Sequence, residues 1–440
     1  MRASNLKFLI LLWLLFFVFS CSKDDDDDGG QGMGTGMQAS TSPNILFIIA
    51  DDLGRDAISG YVEGLIKPTT PNLDAIRNDG LTFNNFWVNP TCSPTRSAII
   101  TGKYGYRTNL ISVGDMISSS ETLLHEYISD NTNQKYANAL IGKWHLSGGD
   151  NNINPETFGV DYFAGIIRGS VPDYYDWDLN ESGSTSNNTG YTTEVLTDLS
   201  IDWINAQDKP WFLWLAYNAP HTPFHVPPAN MHSQVELAAY TDTQDPLPYF
   251  MAAIEAMDFQ IGRLIDSIPA DELDNTVIIF IGDNGSPNQV AQSPYLRTRA
   301  KGSLYQGGIN VPMFASGVVV TRRGIDNNLI TGTDLFTTIS NLAGINVTEY
   351  HDSKSFASLF TADNNAIRQF QYSEENMNED KLWTISDGQF KLINNTNGND
   401  EFYKLSSDPY EINNLLDANL TAEDQDAKTN LEAELALIRQ

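Results

Sequence analysis

The stretch Asn44-Ile-Leu-Phe-Ile-Ile-Ala50, followed at once by Asp51-Asp52, decides the architecture. Residues 45–50 are an unbroken apolar run, too short for a core helix and of the right length for a strand buried on both faces. Two more runs have the same form. Residues 211–217 stop just before Pro220-His221, and residues 277–281 stop at Gly282-Asp283-Asn284. A weaker fourth, residues 139–141, stops at Gly142-Lys143-Trp144-His145. Between the runs lie helical patterns over residues 192–207, 248–268 and 334–343, the last closed by Gly344. This alternation predicts an α/β domain with a large, mostly parallel sheet flanked by helices. In open parallel sheets, ligands bind beyond the carboxyl ends of the strands. Any single run ending in Asp or Gly-Asp reads as an ordinary turn. Four runs that all stop at groups capable of metal, acid–base or anion chemistry predict one shared crevice.

Outward from this core the texture changes twice. From about residue 365, short strands are expected at 371–375, 382–386, 389–393 and 401–405, separated by Asn/Gly/Asp-rich turns and followed by a helix at 421–439. This predicts a catalytic domain over residues 43–365 and a smaller C-terminal α+β subdomain over 366–440 with a short antiparallel sheet. At the other end, Arg2 and Lys7 precede an apolar run from 8 to 19, the length of a signal peptide (1–20) and short for a membrane span. Ser20-Cys21 resembles a bacterial lipoprotein cleavage site, which would make Cys21 the lipidated first residue. Five aspartates at 24–28 and a run of small polar residues to 42 read as a solvated tether over 21–42. An acidic block so placed also resembles the surface-export signal of Bacteroidetes lipoproteins. The expected location is the bacterial outer membrane, on its cell-surface or periplasmic face.

Charge and cysteine usage narrow the function. A formal net charge of -30 excludes a nucleic-acid partner, which needs a basic face. An anion site must then be a local basic pocket. The chain has two cysteines, Cys21 and Cys92. With Cys21 lipidated, Cys92 is the mature chain's one thiol, and an unpaired exported thiol is either buried or chemically used.

Residues 90–102 read Pro-Thr-Cys-Ser-Pro-Thr-Arg-Ser-Ala-Ile-Ile-Thr-Gly. Pro94 suits a first helical turn, which puts Cys92 just before a helix N-terminus where backbone N–H groups favour an anion. Arg96, one turn further in, can add a fixed cation. Two readings follow from these residues alone: a reactive thiol of low pKa, or a small buried Cys beside a helix cap. The stretch from Cys92-Ser93-Pro94-Thr95-Arg96 to Thr101-Gly102 resembles the type I sulfatase signature, whose Cys-x-Pro-x-Arg directs oxidation of the Cys to formylglycine. Further matches are residues 44–52, Ile141 to Leu146, Asn218 to Pro223, Gly282 to Gly285, and Lys301-Gly302 leading to Gly307-Gly308, where the family's usual Glu is Gln306. The similarity runs from about Pro43 to Leu416.

The resemblance implies an alkaline-phosphatase-like fold, conversion of Cys92 to formylglycine by a formylglycine-generating enzyme, and a bound Ca²⁺. From the residues, the all-oxygen set Asp51, Asp52, Asp283 and Asn284 suits a hard divalent cation, Ca²⁺ or less favoured Mg²⁺, over Zn²⁺. Cys92, as the formylglycine hydrate, would join that metal set. By resemblance one hydroxyl of the hydrate attacks sulfur, and the other collapses to the aldehyde and expels sulfate. Arg96 and Lys143 would hold the hydrate. His145 would bond the hydroxyl that drives release. Lys301 and His221 would grip the sulfate and protonate the leaving oxygen, and His225 would contact substrate together with Lys143. Arg55, Arg168 and Arg297 could recognise acidic sugars, but the favoured reading is ordinary surface or structural use. The expected substrate is a sulfated poly- or oligosaccharide. Two rival functions are a hydrolase of phosphate esters or phosphonates, and an inactive surface lipoprotein that binds glycans.

Overall fold

The Asn44–Ala50 strand is buried at all seven positions, and its neighbours explain why it carries no polar face. Ile45, Phe47 and Ile49 point to one side of the sheet. They pack with Ile99 and Ile100 of helix Cys92–Thr101, Leu124 and Ile128 of helix Leu124–Asn131, and Leu335 and Ile339 of helix Asp334–Leu342. Leu46, Ile48 and Ala50 point to the other side, against helices Pro71–Asn78, Thr192–Asn205 and Leu247–Ser267. Alternation with period two therefore buries every residue when helices cover both faces. The structure, a computed structural model, describes residues 42–149, 153–363, 366–377 and 380–440. The expected signal segment, the expected lipidation at Cys21 and nearly all of the expected tether lie outside the described residues.

Strands Thr276–Gly282, Asn44–Ala50, Trp211–Tyr217, Ala137–Lys143 and Tyr162–Ile166 lie side by side in that order and run parallel. Five more strands bring the sheet to ten: Met313–Gly317, Leu81–Phe83 and Gly324–Asp326 on one side, of which Met313–Gly317 runs antiparallel to its neighbours, and the antiparallel hairpin Trp177–Glu181 and Ser184–Asn188 on the other. The expected large, mostly parallel sheet flanked by helices is thus present. The register sets the parallel strands level. Ala50 lies opposite both Tyr217 and Gly282, and Gly142 lies opposite Ala216. The residues that follow each strand emerge together at one edge. The weak run at 139–141 is a full strand, Ala137–Lys143. It carries Gly142 at φ 106°, where an added Cβ would lie 1.9 Å from the Ala216 carbonyl oxygen. No other residue allows both that conformation and that strand spacing beside Lys143.

The C-terminal region forms a four-stranded antiparallel sheet, Gln371–Met377, Asp380–Ser386, Phe390–Asn395 and Glu401–Lys404. Helix Ala422–Ile438 covers it through Leu431 and Leu435, which pack on Ile385, Leu392 and Phe402. A capping box starts that helix, with Thr421 and Asp424 satisfying each other's backbone N–H groups. The sheet docks beside the Cys92 helix, where Ser373 Oγ donates to the Val88 carbonyl at 2.9 Å.

Candidate active site at the ends of the parallel strands

Four strand ends supply the site. Asp51 and Asp52 follow Ala50, Lys143 closes its strand with His145 two residues on, His221 lies four residues past Tyr217, and Asp283-Asn284 follow Gly282. Cys92 comes from a fifth element. It is the first residue of helix Cys92–Thr101, with Thr91 as the N-cap, one position further in than the sequence suggested. The Cys92 sulfur lies 3.1 Å from His145 Nδ1. Residues separated by up to 250 positions thus meet in one crevice.

Each carboxylate has a cation. Lys143 Nζ donates to Asp51 Oδ2 at 2.5 Å, and Lys301 Nζ lies 2.6 Å from Asp52. Arg96 donates through Nε and Nη2 to Asp283 Oδ2, at 3.2 and 2.8 Å, and its Nη1 reaches the Lys143 carbonyl at 2.8 Å. His221 Nε2 stands 3.6 Å from Asp52. The Asp283 Oδ1 accepts the Asp52 N–H at 2.9 Å, and Asn284 Nδ2 donates to Asp52 Oδ1 at 2.8 Å. These bonds hold Asp52 at φ 70°, a left-handed conformation that a non-glycine residue adopts only where its surroundings enforce it. His145 is also left-handed, at φ 57°, while its backbone N–H still donates to the Ile167 carbonyl.

Burial and charge set the protonation states. Burial pushes the Asp52 carboxyl up, but Lys301, His221 and Lys143 together hold it well below the usual range. Burial and the nearby Asp51 push Asp283 up to about 6 against the pull of Arg96. Burial also pushes the Cys92 thiol up, with Lys143 opposing and Asp51 and Asp283 adding to the rise. A reactive thiol of lowered pKa, one of the two readings of the motif, is therefore not what this environment makes. Burial, Lys143 and Arg96 lower His145 to about 2, so its ring is neutral and one nitrogen keeps a lone pair for a hydrogen bond.

The donor set fits a hard divalent cation. Ligand atoms of Asp51, Asp52 and His221 lie within 4.8 Å of one another. Among the described residues, Asp51 Oδ1 and Asn284 Oδ1 are buried acceptors without a hydrogen-bond partner, which a protein seldom leaves unmet. Oxygen-rich coordination of this kind suits Ca²⁺. Both Asp283 oxygens also accept hydrogen bonds, Oδ2 from Arg96 and Oδ1 from the Asp52 N–H, and Oδ1 keeps a lone pair.

Above these groups opens a crevice of about 860 Å³ lined by Cys92, His145, His221 and Lys301, with Arg168 and Asp178 at its far side. Arg168, which reads from sequence as an ordinary surface arginine, thus stands over the site. His225 does not line it. Its ring stacks on Tyr174 at 3.8 Å, and its nitrogens lie 3.0 and 3.2 Å from the Pro223 carbonyl and the Tyr191 hydroxyl. Arg55 is buried in an ion pair with Glu63 at 3.1 Å. Trp144 is a core residue, its indole N–H bonded to Ser147 Oγ at 2.9 Å. Gln306 accepts from Asn310 and donates its backbone N–H to Glu411, a role in packing.

Sequence reading missed Gly169. A Cβ there would lie 2.3 Å from His145 Nε2, so only glycine leaves room for the ring. No local signal ties position 169 to position 145.

Comparison with known proteins gives one consistent picture. A sulfatase family model matches residues 43–345, and a model for the C-terminal region of N-sulphoglucosamine sulphohydrolase matches 299–440. The uncharacterized sulfatase YdeN of Escherichia coli is 28% identical over 365 residues, 69% of this chain and 63% of its own length. Human N-acetylgalactosamine-6-sulfatase is 29% identical over 356 residues, 71% of this chain and 64% of its own. The chain therefore spans just under two thirds of these two relatives. A crystal structure of Ps i-CgsB in complex with k-i-k-neocarrahexaose shares the fold, with TM-score 0.77 and 24% identity over 91% of this chain and 94% of that one.

Proposed function

The chain belongs to the sulfatase family, and from that premise we propose that it hydrolyses a sulfate ester on a poly- or oligosaccharide and releases inorganic sulfate. The observation that carries this is the meeting of Cys92, in its Cys-x-Pro-x-Arg setting, with His145, two lysines and an oxygen-rich cation pocket.

Asp51, Asp52 and Asn284 would hold Ca²⁺, which supplies positive charge toward the sulfuryl oxygens. Asp283 would complete that set while anchoring Arg96. Formylglycine at position 92 supplies the nucleophilic hydroxyl that a thiol cannot. The chain's own groups do the rest. Lys143 and Lys301 bring two ammonium charges to the crevice, where a sulfate needs fixed cations. Arg96, locked onto Asp283, keeps its charge at the first turn of the Cys92 helix, which itself favours an anion. Neutral His145, 3.1 Å from the position-92 side chain, would hydrogen-bond the hydroxyl that drives sulfate release. His221, on the other wall with Lys301, donates to the departing sugar oxygen. His225 would act on substrate only through the aromatic cluster behind His221.

The further expectations join this proposal. A formylglycine-generating enzyme would convert Cys92. Cys21 would carry the lipid that ties the chain to the outer membrane; among the described residues no helix is long and apolar enough to cross a membrane.

The test uses chain produced together with a formylglycine-generating enzyme. Aryl sulfate and aryl phosphate are assayed side by side, with wild type and Cys92→Ala. Sulfate release should dominate and should drop by about 10³-fold or more in the variant. Preferred phosphate turnover, or equal activity in Cys92→Ala, contradicts the reading.

A further inference from the structure

Lys143 closes a strand and Arg96 sits in helix Cys92–Thr101, but Lys301 has no such support. It lies in an irregular segment between two single turns of helix, Arg297–Arg299 and Gln306–Ile309. Its Nζ nevertheless stands 2.6 Å from Asp52, on the wall of the crevice. Two bonds to neighbouring backbone hold the segment at Lys301 itself. The Lys301 N–H donates to the Ser286 carbonyl at 3.2 Å, and the Gly302 N–H to the Pro90 carbonyl at 2.9 Å. On either side of Lys301, further anchors come from the C-terminal sheet.

Glu411 is the centre of that grip. It follows strand Glu401–Lys404, is buried, and has φ 58°. Its carboxylate accepts the Gln306 N–H at 2.6 Å and the Lys391 ammonium at 2.5 Å, and its carbonyl accepts Arg299 Nη1. Lys391, buried in strand Phe390–Asn395, donates also to the Leu304 carbonyl at 2.6 Å. The Arg299 guanidinium lies over the Tyr305 ring at 4.1 Å, and the Tyr305 hydroxyl donates to Glu401 at 2.8 Å. Residues 299, 304 and 306, on both sides of Lys301, are thus tied to one buried ion pair. Such a pair is a poor source of stability, since apolar residues of similar volume often serve as well or better. What apolar residues cannot do is aim charged groups at two backbone groups of one short segment. Charge-assisted hydrogen bonds of this kind are short and directional.

We propose that Glu411 and Lys391 are positioning residues for Lys301, so that the C-terminal sheet aims the ammonium that faces the sulfate. Neither side chain lines the crevice, and both act only through the segment 299–306. This inference rests on the reading of Lys301 as a cation that grips the sulfate.

The test compares four forms on an aryl sulfate, each produced with a formylglycine-generating enzyme: wild type, the pair variant Lys391→Met with Glu411→Leu, Lys301→Ala, and all three substitutions together. The pair variant strands no charge, so the fold should hold. It should lower kcat/KM by about tenfold or more, since a misplacement near 1 Å costs up to about 100-fold. Lys301→Ala and the triple variant should agree within about twofold, because without Lys301 nothing is left to aim. A loss of equal size with and without Lys301, or a pair variant within about threefold of wild type, overturns the positioning role and leaves the sulfatase reading standing. If the pair variant does not fold, Glu411→Gln, which leaves Lys391 or the Gln306 N–H short of an acceptor, carries the same comparison. Its expected loss is about fivefold, and a loss under about twofold overturns the role. Acetylation of Lys301 by an amine-reactive ester, read by peptide mass spectrometry against the exposed Lys209, follows the segment without turnover. Its rate should rise by about fivefold in the pair variant as Lys301 leaves Asp52. If no form releases sulfate, or Lys301→Ala is as active as wild type, the reading of the crevice fails. A raised labelling rate then keeps the positioning role, and an unchanged one overturns it as well.

Discussion

Gly169 and His145 are the closest coupling between a residue without chemistry and one with it. The His145 ring fills the space a side chain at 169 would take, and this contact fixes the distance from its Nδ1 to position 92. Gly169→Ala should lower kcat for an aryl sulfate by about 100-fold, since a shift near 1 Å in a group that positions the nucleophile has that effect. The melting temperature should stay near wild type, because the site opens to the crevice rather than to the core. Activity within threefold of wild type would show that the ring can move aside harmlessly. Most of the chemistry-bearing residues were legible because they follow an apolar run or sit in the Cys92 motif; Lys301 does neither and was legible from the Lys301-Gly302 match alone. The residues that shape the space were not. Asp52 and His145 take left-handed conformations that only the folded surroundings impose. His225 sits close to His221 in sequence, yet the chain turns its ring into the aromatic cluster.

Among the elements, helix Asp334–Leu342 depends on an ion pair that a later segment supplies. Arg368 Nε and Nη2 clasp Asp334 at 2.7 and 2.5 Å, and Asp334 also accepts the Thr331 and Lys354 N–H groups. Both partners are buried. Removing one charge from such a pair strands the other, at a cost of about 3–5 kcal/mol. Arg368→Leu should therefore lower the unfolding free energy on that scale, measured by urea denaturation. Arg77→Ala, which breaks the more exposed Arg77–Asp74 pair, should cost under about 1 kcal/mol. Similar values for the two would contradict the assignment. The strands that end at the site were legible to within two residues or so, because burial on both faces leaves no polar position. The edge hairpin, whose Asp178 lines the crevice, was not. Its strand Ser184–Asn188 is Ser/Thr/Asn throughout and exposed at four of five positions, so no apolar alternation marks it. Its signal lay in the turn: Ser182 and Gly183 have φ 46° and 75°, the left-handed pair of a two-residue hairpin loop.

At the scale of the molecule, a chain with net charge -30 brings as many cations as carboxylates to one crevice. Lys143, Lys301, Arg96 and Arg168 stand with Asp51, Asp52, Asp283 and Asp178 around it, while acidic groups dominate the charge elsewhere. Parallel strand order makes this possible, since five level strand ends deliver residues from most of the chain to one edge. The α/β class and the C-terminal antiparallel sheet were both legible, because period-two burial and turn-rich spacing are local properties. The strand order and the antiparallel edges were not, because they depend on pairings between distant segments.

The proposed chemistry needs Asp51 and Asp52 to hold a divalent cation beside position 92. Calorimetric titration of the chelator-stripped protein with calcium chloride tests this. One Ca²⁺ should bind per chain, and Asp51→Asn and Asp52→Asn should each weaken binding by about tenfold or more. Wild-type affinity in both variants, or no binding to the parent chain, would contradict the account.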